Sequence, residues 1–426
     1  MAYVRPRVCV MTAGQLSTCP RMLKAADALA TRYDVRVVST RSTPWAGDAD
    51  ARLVPQRMWR WTVVDYDRAS APVTYSWTGA RQRGASRLAA SVGADRVPHA
   101  VAIRAYSRTH SELVKAALAE PVDFIYGGTT GALAAVAEAG SRASVPFAID
   151  LEDFHSAEHA ETEGALSNHL ADLVLRKVLE DATFLTTSSA PMAAAYVSIY
   201  GARPQVVHNT FPLPERSPSF QRATGPIRLY WFSQTIGPGR GLENLIRAIG
   251  RSQIPATLTL RGRSALNGSA RQPGPSRSLT YVDGLRALAN DVAPSLEIVL
   301  RDPADPGAMV DLCREHDIGL AIEEPDVFNH DLALSNKALT YPLAGLALLL
   351  TETAGQRALA VDVGDAVVVK SGDIDALAVG LRQWADSPAR LTEAKAAAWE
   401  AARRRWHWEH EVERGRLLDA VAHVLS

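Results

Sequence analysis

LYWFSQTIGPGRGLEN, residues 229–244, begins as an apolar strand, ends as a helix, and turns between them on Gly237, Gly239 and Gly241. Glycines there let the backbone approach a ligand closely, and the helix start presents free N–H groups. Arg240 adds a fixed positive charge. That combination suits a phosphate or diphosphate; a tight strand-to-helix turn with a solvated arginine accounts for the same residues. The GK[ST] ending of a P-loop is missing, and the glycine spacing is not that of a dinucleotide fingerprint.

Working outward, strand and helix alternate on both sides of this segment. Downstream, the pattern predicts strands at 256–261, 296–300, 318–322, 347–350 and near 366–369, with helices at 242–250, 307–316 and 336–344. A Gly/Ser/Pro-rich loop is expected at 264–278. Upstream, strands are expected at 8–11, 35–39, 124–126, 146–150, 184–187 and 205–208, and helices at 21–32, 131–139 and 168–181. Residues 43–87, rich in Trp, Arg and Pro with weak periodicity, read as loops and short elements over one sheet edge. Residues 212–226, PLPERSPSFQRATGP, carry four prolines and no core pattern, which marks a linker. The expectation is therefore an α/β chain of two tandem Rossmann-like, doubly wound domains facing a cleft. An N-terminal domain spans 1–211, a C-terminal domain spans 227–400, and a C-terminal helix in 401–426 crosses back to the first domain. Ligands of such sheets sit at the carboxyl ends of the strands.

Composition narrows the partners. A chain of 426 residues is too long for one ordinary core. Lys+Arg and Asp+Glu are both 46, so no global field favours nucleic acid or an anionic surface. The densest basic run, Arg403-Arg404-Arg405 before WHWEH, reads as a solvated helix face. Three widely spaced cysteines suggest neither a disulfide framework nor a zinc site, and a reducing cytoplasm is the simplest home. Without a long apolar run, membrane contact is expected to be peripheral at most, at the inner face.

Three further segments carry chemistry. In NHDLALSNKALTYPLAG, residues 329–345, Ser335-Asn336 caps a helix whose start faces the strand ends. Lys337 opposes the dipole of that helix, an oddity that a bound diphosphate would relieve; an N-capped helix with an exposed lysine accounts for the same residues. In IDLEDFHSAE, residues 149–158, Asp150 ends a strand and Glu152, Asp153, His155 and Glu158 crowd the next turn. Such a cluster suits a general base, a sugar-hydroxyl clamp or a surface loop; no second cluster with metal spacing accompanies it. In AGQLSTCPR, residues 13–21, Gly14 and Gln15 lie in a small-residue loop suited to close approach by a substrate.

Together these residues resemble the glycosyltransferase family 4 group, which has the two-Rossmann (GT-B) fold and usually takes a sugar from a nucleotide diphosphate. The likeness runs through GQLSTCPRMLKAADALATRYDVRVVS, DLEDFHSAE, HNTFP, GPGRGLENLIRAI and DIGLAIEEP…LSNKALTYPLAGLALLLTETAGQ, in that order. It implies that Gly239, Arg240, Ser335, Asn336 and Lys337 bind the donor, with Arg240 in place of a diphosphate-binding lysine. Asp150, Glu152, Asp153 and His155 would face the reacting sugar and the acceptor, with Gly14 and Gln15 beside them and Asp153 or His155 catalytic. Asn209 matches a hinge-side asparagine. Two departures stand out. Thr235 replaces an arginine, which Arg261 or Arg263 would substitute. Leu332 and Thr340 replace a pair of glutamates. Glu323, Glu324, His330 and Asp331 lie near but out of register, and of these Glu324 is kept with the donor residues. The resemblance implies a hexosyltransferase-type enzyme that uses a nucleotide sugar and a hydroxyl acceptor, with no cofactor and no metal. A non-catalytic nucleotide-sugar-binding helper and a sugar-nucleotide epimerase are the alternatives. The sugar, base, acceptor, anomeric outcome and oligomeric state are not fixed by the sequence.

Overall fold

In Ala347–Thr351, ALLLT, every residue is buried, so the strand must lie inside a sheet covered on both faces. Its alternate residues divide accordingly. Ala347 and Leu349 join one apolar cluster with the helices Leu242–Ser252 and Ile374–Ala385. Leu348 and Leu350 join another with the helices Asn336–Leu343 and Pro388–Arg404. Period-2 alternation thus builds the three layers of a doubly wound unit.

The computed structural model describes residues 5–93, 96–221, 224–265, 280–325 and 327–426. Thirteen strands form two sheets among these residues. The first contains β1 (Arg7–Thr12), β2 (Asp34–Arg41), β3 (Arg60–Asp65), β4 (Phe124–Gly128), β5 (Phe147–Leu151), β6 (Phe184–Thr187) and β7 (Gln205–Val206), in the order β3-β2-β1-β4-β5-β6-β7. The second contains β8 (Ile227–Ile236), β9 (Ala256–Ser264), β10 (Leu296–Arg301), β11 (Ile318–Ala321), β12 (Ala347–Thr351) and β13 (Val367–Val369), in the order β10-β9-β8-β11-β12-β13. All recorded pairings are parallel. The strand order reverses between β1 and β4 and again between β8 and β11. Those are the switch points where doubly wound sheets place ligands.

By contacts the chain divides into a first unit, Met1–Asn209 with Val327–Leu332 and Glu411–Ser426, and a second unit, Thr210–Asp326 with Ala333–His410. The short segment Val327–Leu332 was expected in the second domain and belongs to the first unit. The C-terminal segment joins the first unit through buried Glu413, which accepts the backbone N–H of His208 at 2.6 Å and lies 2.9 Å from its Nδ1.

Several sequence expectations need correction. Residues 43–87 hold the helix Pro44–Leu53, the edge strand β3 and the start of the 21-residue helix Pro72–Val92. The long helix lacks an amphipathic period because small residues (Gly79, Ala85, Ala89) and Thr78 make its buried face. The helix expected over 307–316 is shorter, a 3-10 turn Pro306–Ala308 followed by Met309–Cys313. The C-terminal segment 401–426 is not one helix. Pro388–Arg404 ends, Trp406 and Trp408 are buried, and a π-helical turn Glu411–Gly415 leads into Arg416–Leu425. Of the loop read at 264–278, residues 266–278 lie outside the described residues.

The contact that seats the Asn336–Leu343 helix on its sheet is the Tyr341 ring over Gly319 of β11. A Cβ on Gly319 would lie 2.2 Å from the ring. Tyr341 is fully buried and donates its hydroxyl to the Leu320 carbonyl at 3.1 Å. Gly319→Ala is therefore expected to cost about 1–3 kcal/mol by overpacking. Denaturant titration checks this, and an unchanged midpoint would show that the ring yields freely.

Candidate functional site

The second unit collects its charged residues at the switch point between β8 and β11. After β8 the chain turns through Gly239 and Gly241, both at φ +72°. Gly241 is the N-cap of the Leu242–Ser252 helix, and a Cβ there would lie 2.5 Å from the Ile322 carbonyl oxygen, so only glycine fits. This close approach places Arg240 beside the residues that follow β11. Glu323, buried, receives Lys337 Nζ on Oε1 at 2.6 Å and Arg240 Nη1 on Oε2 at 3.5 Å. Lys337 Nζ also stands 5.3 Å from the centre of the buried Trp231 ring. The helix that carries Lys337 is capped by Ser335, whose hydroxyl oxygen accepts the Ala338 N–H at 3.4 Å.

Lys337 is thus a buried cation with a protein counterion. The oddity read from its place against the helix dipole is resolved by Glu323, an acid set aside in the sequence reading as out of register. Of the other residues expected to bind a donor, Glu324 lies near Gly239, its Oε2 3.9 Å from where a Gly239 Cβ would stand. Asn336 gives its carbonyl to the Thr340 hydroxyl at 2.7 Å. Arg263 is the register partner of Thr235, the position where the family resemblance led us to expect an arginine. Arg261 is committed elsewhere: Nε donates to the Tyr230 hydroxyl at 2.8 Å and Nη1 to the Asp302 carbonyl at 2.7 Å.

In the first unit, one register row crosses the switch point: Thr12 of β1 pairs with Gly128, Gly128 with Asp150, and Asp150 with Thr186. Thr12 Oγ1 and Thr129 Oγ1 meet at 3.0 Å, and Thr129 holds φ +77°, a costly conformation for a β-branched residue. Asp150 was expected to face an acceptor. Instead it is fully buried and takes both arms of Arg21, at 2.6 and 2.7 Å, plus the Thr186 hydroxyl. Gln15 is likewise occupied, its Oε1 accepting from the hydroxyls of Ser42 at 3.0 Å and Thr43 at 2.9 Å. The Gly14 N–H donates to Thr12 Oγ1 at 3.0 Å. Asp150 and Gln15 therefore hold the scaffold.

Beyond β5 the acidic turn is built as a network. Asn329 donates to Asp153 Oδ1 at 2.9 Å and accepts the Phe154 N–H at 2.8 Å. Glu158 pairs with His155 Nδ1 and accepts the Thr130 hydroxyl at 2.7 Å. His155 is buried and its Nε2 has no hydrogen-bond partner among the described residues. Glu152 accepts from Asn209 at 3.3 Å, and Asn209 accepts from Lys24 at 2.7 Å. Burial pushes the Glu152 carboxyl up to about 7, with Asp153 and Asp150 adding to the shift and Arg21 and Lys24 opposing it. Burial and Glu158 also raise Asp153. Burial opposes the charge on His155, but Glu158, Asp153 and Glu152 outweigh it and hold the imidazole above its ordinary value. Burial likewise opposes the charge on Glu158, yet His155 and Thr130 keep it below the usual carboxylate range. Thr130 and Asn329 were not among the expected residues; Glu158 was read only as part of the acidic cluster, and Glu323 was set aside as out of register. The three-residue spacing of His155 and Glu158 was the one local signal. Among the described residues, no group of three His, Cys, Asp or Glu side chains is arranged to hold a metal ion.

No protein-family model matches the sequence, and no curated protein matches it. Solved structures do. The Anabaena protein HepE in complex with UDP-glucose shares 15% identity over 98% of this chain and 99% of its own, with a TM-score of 0.62. A sucrose-phosphate synthase from Thermosynechococcus elongatus shares 14% over 99% and 100%, at 0.64. A glycosyltransferase from Rickettsia africae shares 9% over the whole of both chains, at 0.64. At these identities the likeness establishes the fold, through both Rossmann-like units.

Glu323→Gln leaves Lys337 buried without its counterion, and the expected cost is about 3–5 kcal/mol. Chemical denaturation measures it; a loss under about 1 kcal/mol would mean the pair is solvated. The raised Glu152 pKa has a definite sign. The folded state holds this proton more tightly than the unfolded chain, so stability falls as pH climbs from the ordinary glutamate value to about 7. Glu152→Gln should therefore raise the thermal midpoint more at pH 8 than at pH 5, and an equal shift at both would contradict it.

Proposed function

We propose that this chain, built on the GT-B fold of those proteins, moves a hexose from a nucleotide-diphosphate sugar to a hydroxyl acceptor. The observation that carries the reading is the Arg240–Glu323–Lys337 group at the second switch point, beside a glycine turn that only glycine can make. As the bond from the anomeric carbon to the diphosphate breaks, negative charge grows on the leaving oxygen. Fixed cations and helix starts stabilise that charge without reorganising. Gly239, Ser335 and Asn336 would complete the donor seat, with Glu324 beside it and Arg263 standing in for the arginine absent at 235. The nucleotide is supported by the company of the fold. HepE is seen with UDP and with UDP-glucose, and an E. coli protein of the same fold with UDP-2-fluoro glucose.

In this reading the first unit handles the acceptor. Asp153 and His155 orient or deprotonate the attacking hydroxyl, next to Glu152. The positive charge comes from side chains, so the scheme calls for neither metal nor cofactor. No helix among the described residues is long and apolar enough to cross a membrane; a cytoplasmic seat with peripheral contact at the inner membrane face fits the proposal. One observation favours a second reading, a binder without turnover. Thr340 is fully buried with its hydroxyl on its own helix, where the family resemblance implies a glutamate.

Incubation with a panel of nucleotide sugars and acceptors separates the readings. Nucleoside diphosphate released only when acceptor is present supports transfer, an altered sugar on the same nucleotide supports an epimerase, and saturable binding without turnover supports the helper. Arg240→Ala is expected to weaken nucleotide-diphosphate binding by at least about tenfold, the scale of a lost charge-assisted contact. Unchanged affinity would remove Arg240 from the site.

A further inference from the structure

The helix Pro72–Val92 leaves an apolar stripe in solvent. Val73 is 81% exposed, Trp77 65% and Leu88 47%. Positions 73, 77, 80, 84 and 88 fall on one helical face, and Ala80 and Gly84 are the exposed residues between the large ones. The opposite face, through Ala85 and Ala89, packs on Ala102, Ala105 and Leu170. A folded chain gains nothing by holding valine and tryptophan one turn apart in water, so the stripe marks a surface meant to be covered.

The charges on the same helix indicate what covers it. Its sequence contains Arg81, Arg83 and Arg87 and no acid. Arg81 pairs with Glu112 at 2.6 Å. Among the described residues no carboxylate pairs with exposed Arg83 or Arg87, nor with Arg108, which instead donates to the Thr78 hydroxyl at 3.0 Å and the Tyr75 carbonyl at 2.5 Å. Arg83 and Arg108 also stand close together, their guanidinium nitrogens 3.0 and 3.2 Å from the point where a Gly79 Cβ would be. Two cations share a small volume without a counterion, along a stripe led by tryptophan and valine. We infer that the exposed face of the Pro72–Val92 helix is a docking surface for an anionic lipid bilayer, lying in the interface with Val73, Trp77 and Leu88 inserted and Arg83 and Arg87 at the headgroups. A helix of this kind combines apolar burial with attraction to anionic lipid, each part modest alone. The inference gives a surface to the peripheral membrane contact of the proposed function, but it needs no donor or acceptor, so its test does not depend on sugar transfer. The Trp/Arg run at 403–408 does not compete with it, since Trp406 and Trp408 are buried.

The test is co-sedimentation of the full chain with vesicles of phosphatidylcholine alone or mixed with phosphatidylglycerol. Binding is expected only with the anionic mixture and should fall steeply as salt rises. Arg83→Gln and Arg87→Gln should each weaken it about fivefold. Trp77→Ser and, separately, Val73→Ser should also lower the bound fraction while circular dichroism stays unchanged, since both side chains are exposed. No binding to either vesicle, equal binding to both, or variants that bind like the parent would overturn the inference. So would a dimer in sedimentation velocity that Trp77→Ser dissolves, because a second copy would then cover the stripe.

Discussion

Lys337 can stand where it does only because Glu323 does. A lysine in the first turn of a helix faces the positive end of the dipole, and a buried one also loses its hydration. Glu323, just past the end of β11, answers both costs and reaches Arg240 with its other oxygen. Three segments are thereby tied to one carboxylate: the glycine turn, the exit of β11 and the capped helix start. The Gly241 backbone pressed against the Ile322 carbonyl fixes the same junction sterically. Two cations are thereby held in place at the second switch point by the protein itself.

The first unit solves a different problem. Asp150 and Arg21 form a fully engaged buried pair beneath the site, and that pair sets where the following turn begins. On that turn, Glu152 and Asp153 are both raised by burial and by nearby acids. Such a pair resists double ionisation and keeps a proton available near neutrality. His155, held from one side by Glu158, keeps a buried ring nitrogen without a partner among the described residues. One unit is organised around fixed positive charge and the other around groups that hold or move protons. Those are the two demands that the proposed transfer makes, at its diphosphate leaving group and at its hydroxyl nucleophile.

The layers of the fold were legible because buried parallel strands write themselves as apolar runs, as in ALLLT, and because Ser335 and the glycines of 237–241 punctuate the chain. What escaped had physical reasons. The Pro72–Val92 helix hides its period, since its inner face is made of small residues and its outer face carries Trp77 and Val73. Candidate residues were recognised by type, but their employment was not. Asp150 and Gln15 were read as reaching a substrate and are consumed by Arg21 and by the 42–43 backbone and hydroxyls. Glu323 was dismissed on register along the chain, although a strand exit and a helix start can meet in space at any sequence separation. Asn329 bonds to Asp153 and Phe154, more than 170 residues away, and nothing local announces it.

The two missing glutamates also take a clearer form. Leu332 is buried and its carbonyl accepts the Ser189 hydroxyl at 2.6 Å. Thr340 is fully buried and spends its hydroxyl on the Asn336 carbonyl. Both positions are buried, and both serve packing. A glutamate at 340 would lie one helical turn from Lys337 and compete with Glu323 for it. With Thr340 there, the acid nearest the lysine comes from the strand exit, and the Arg240–Glu323–Lys337 group keeps one unit of positive charge. A second acid would cancel it. Thr340, where the resemblance implies a glutamate, thus leaves the net charge of that group positive.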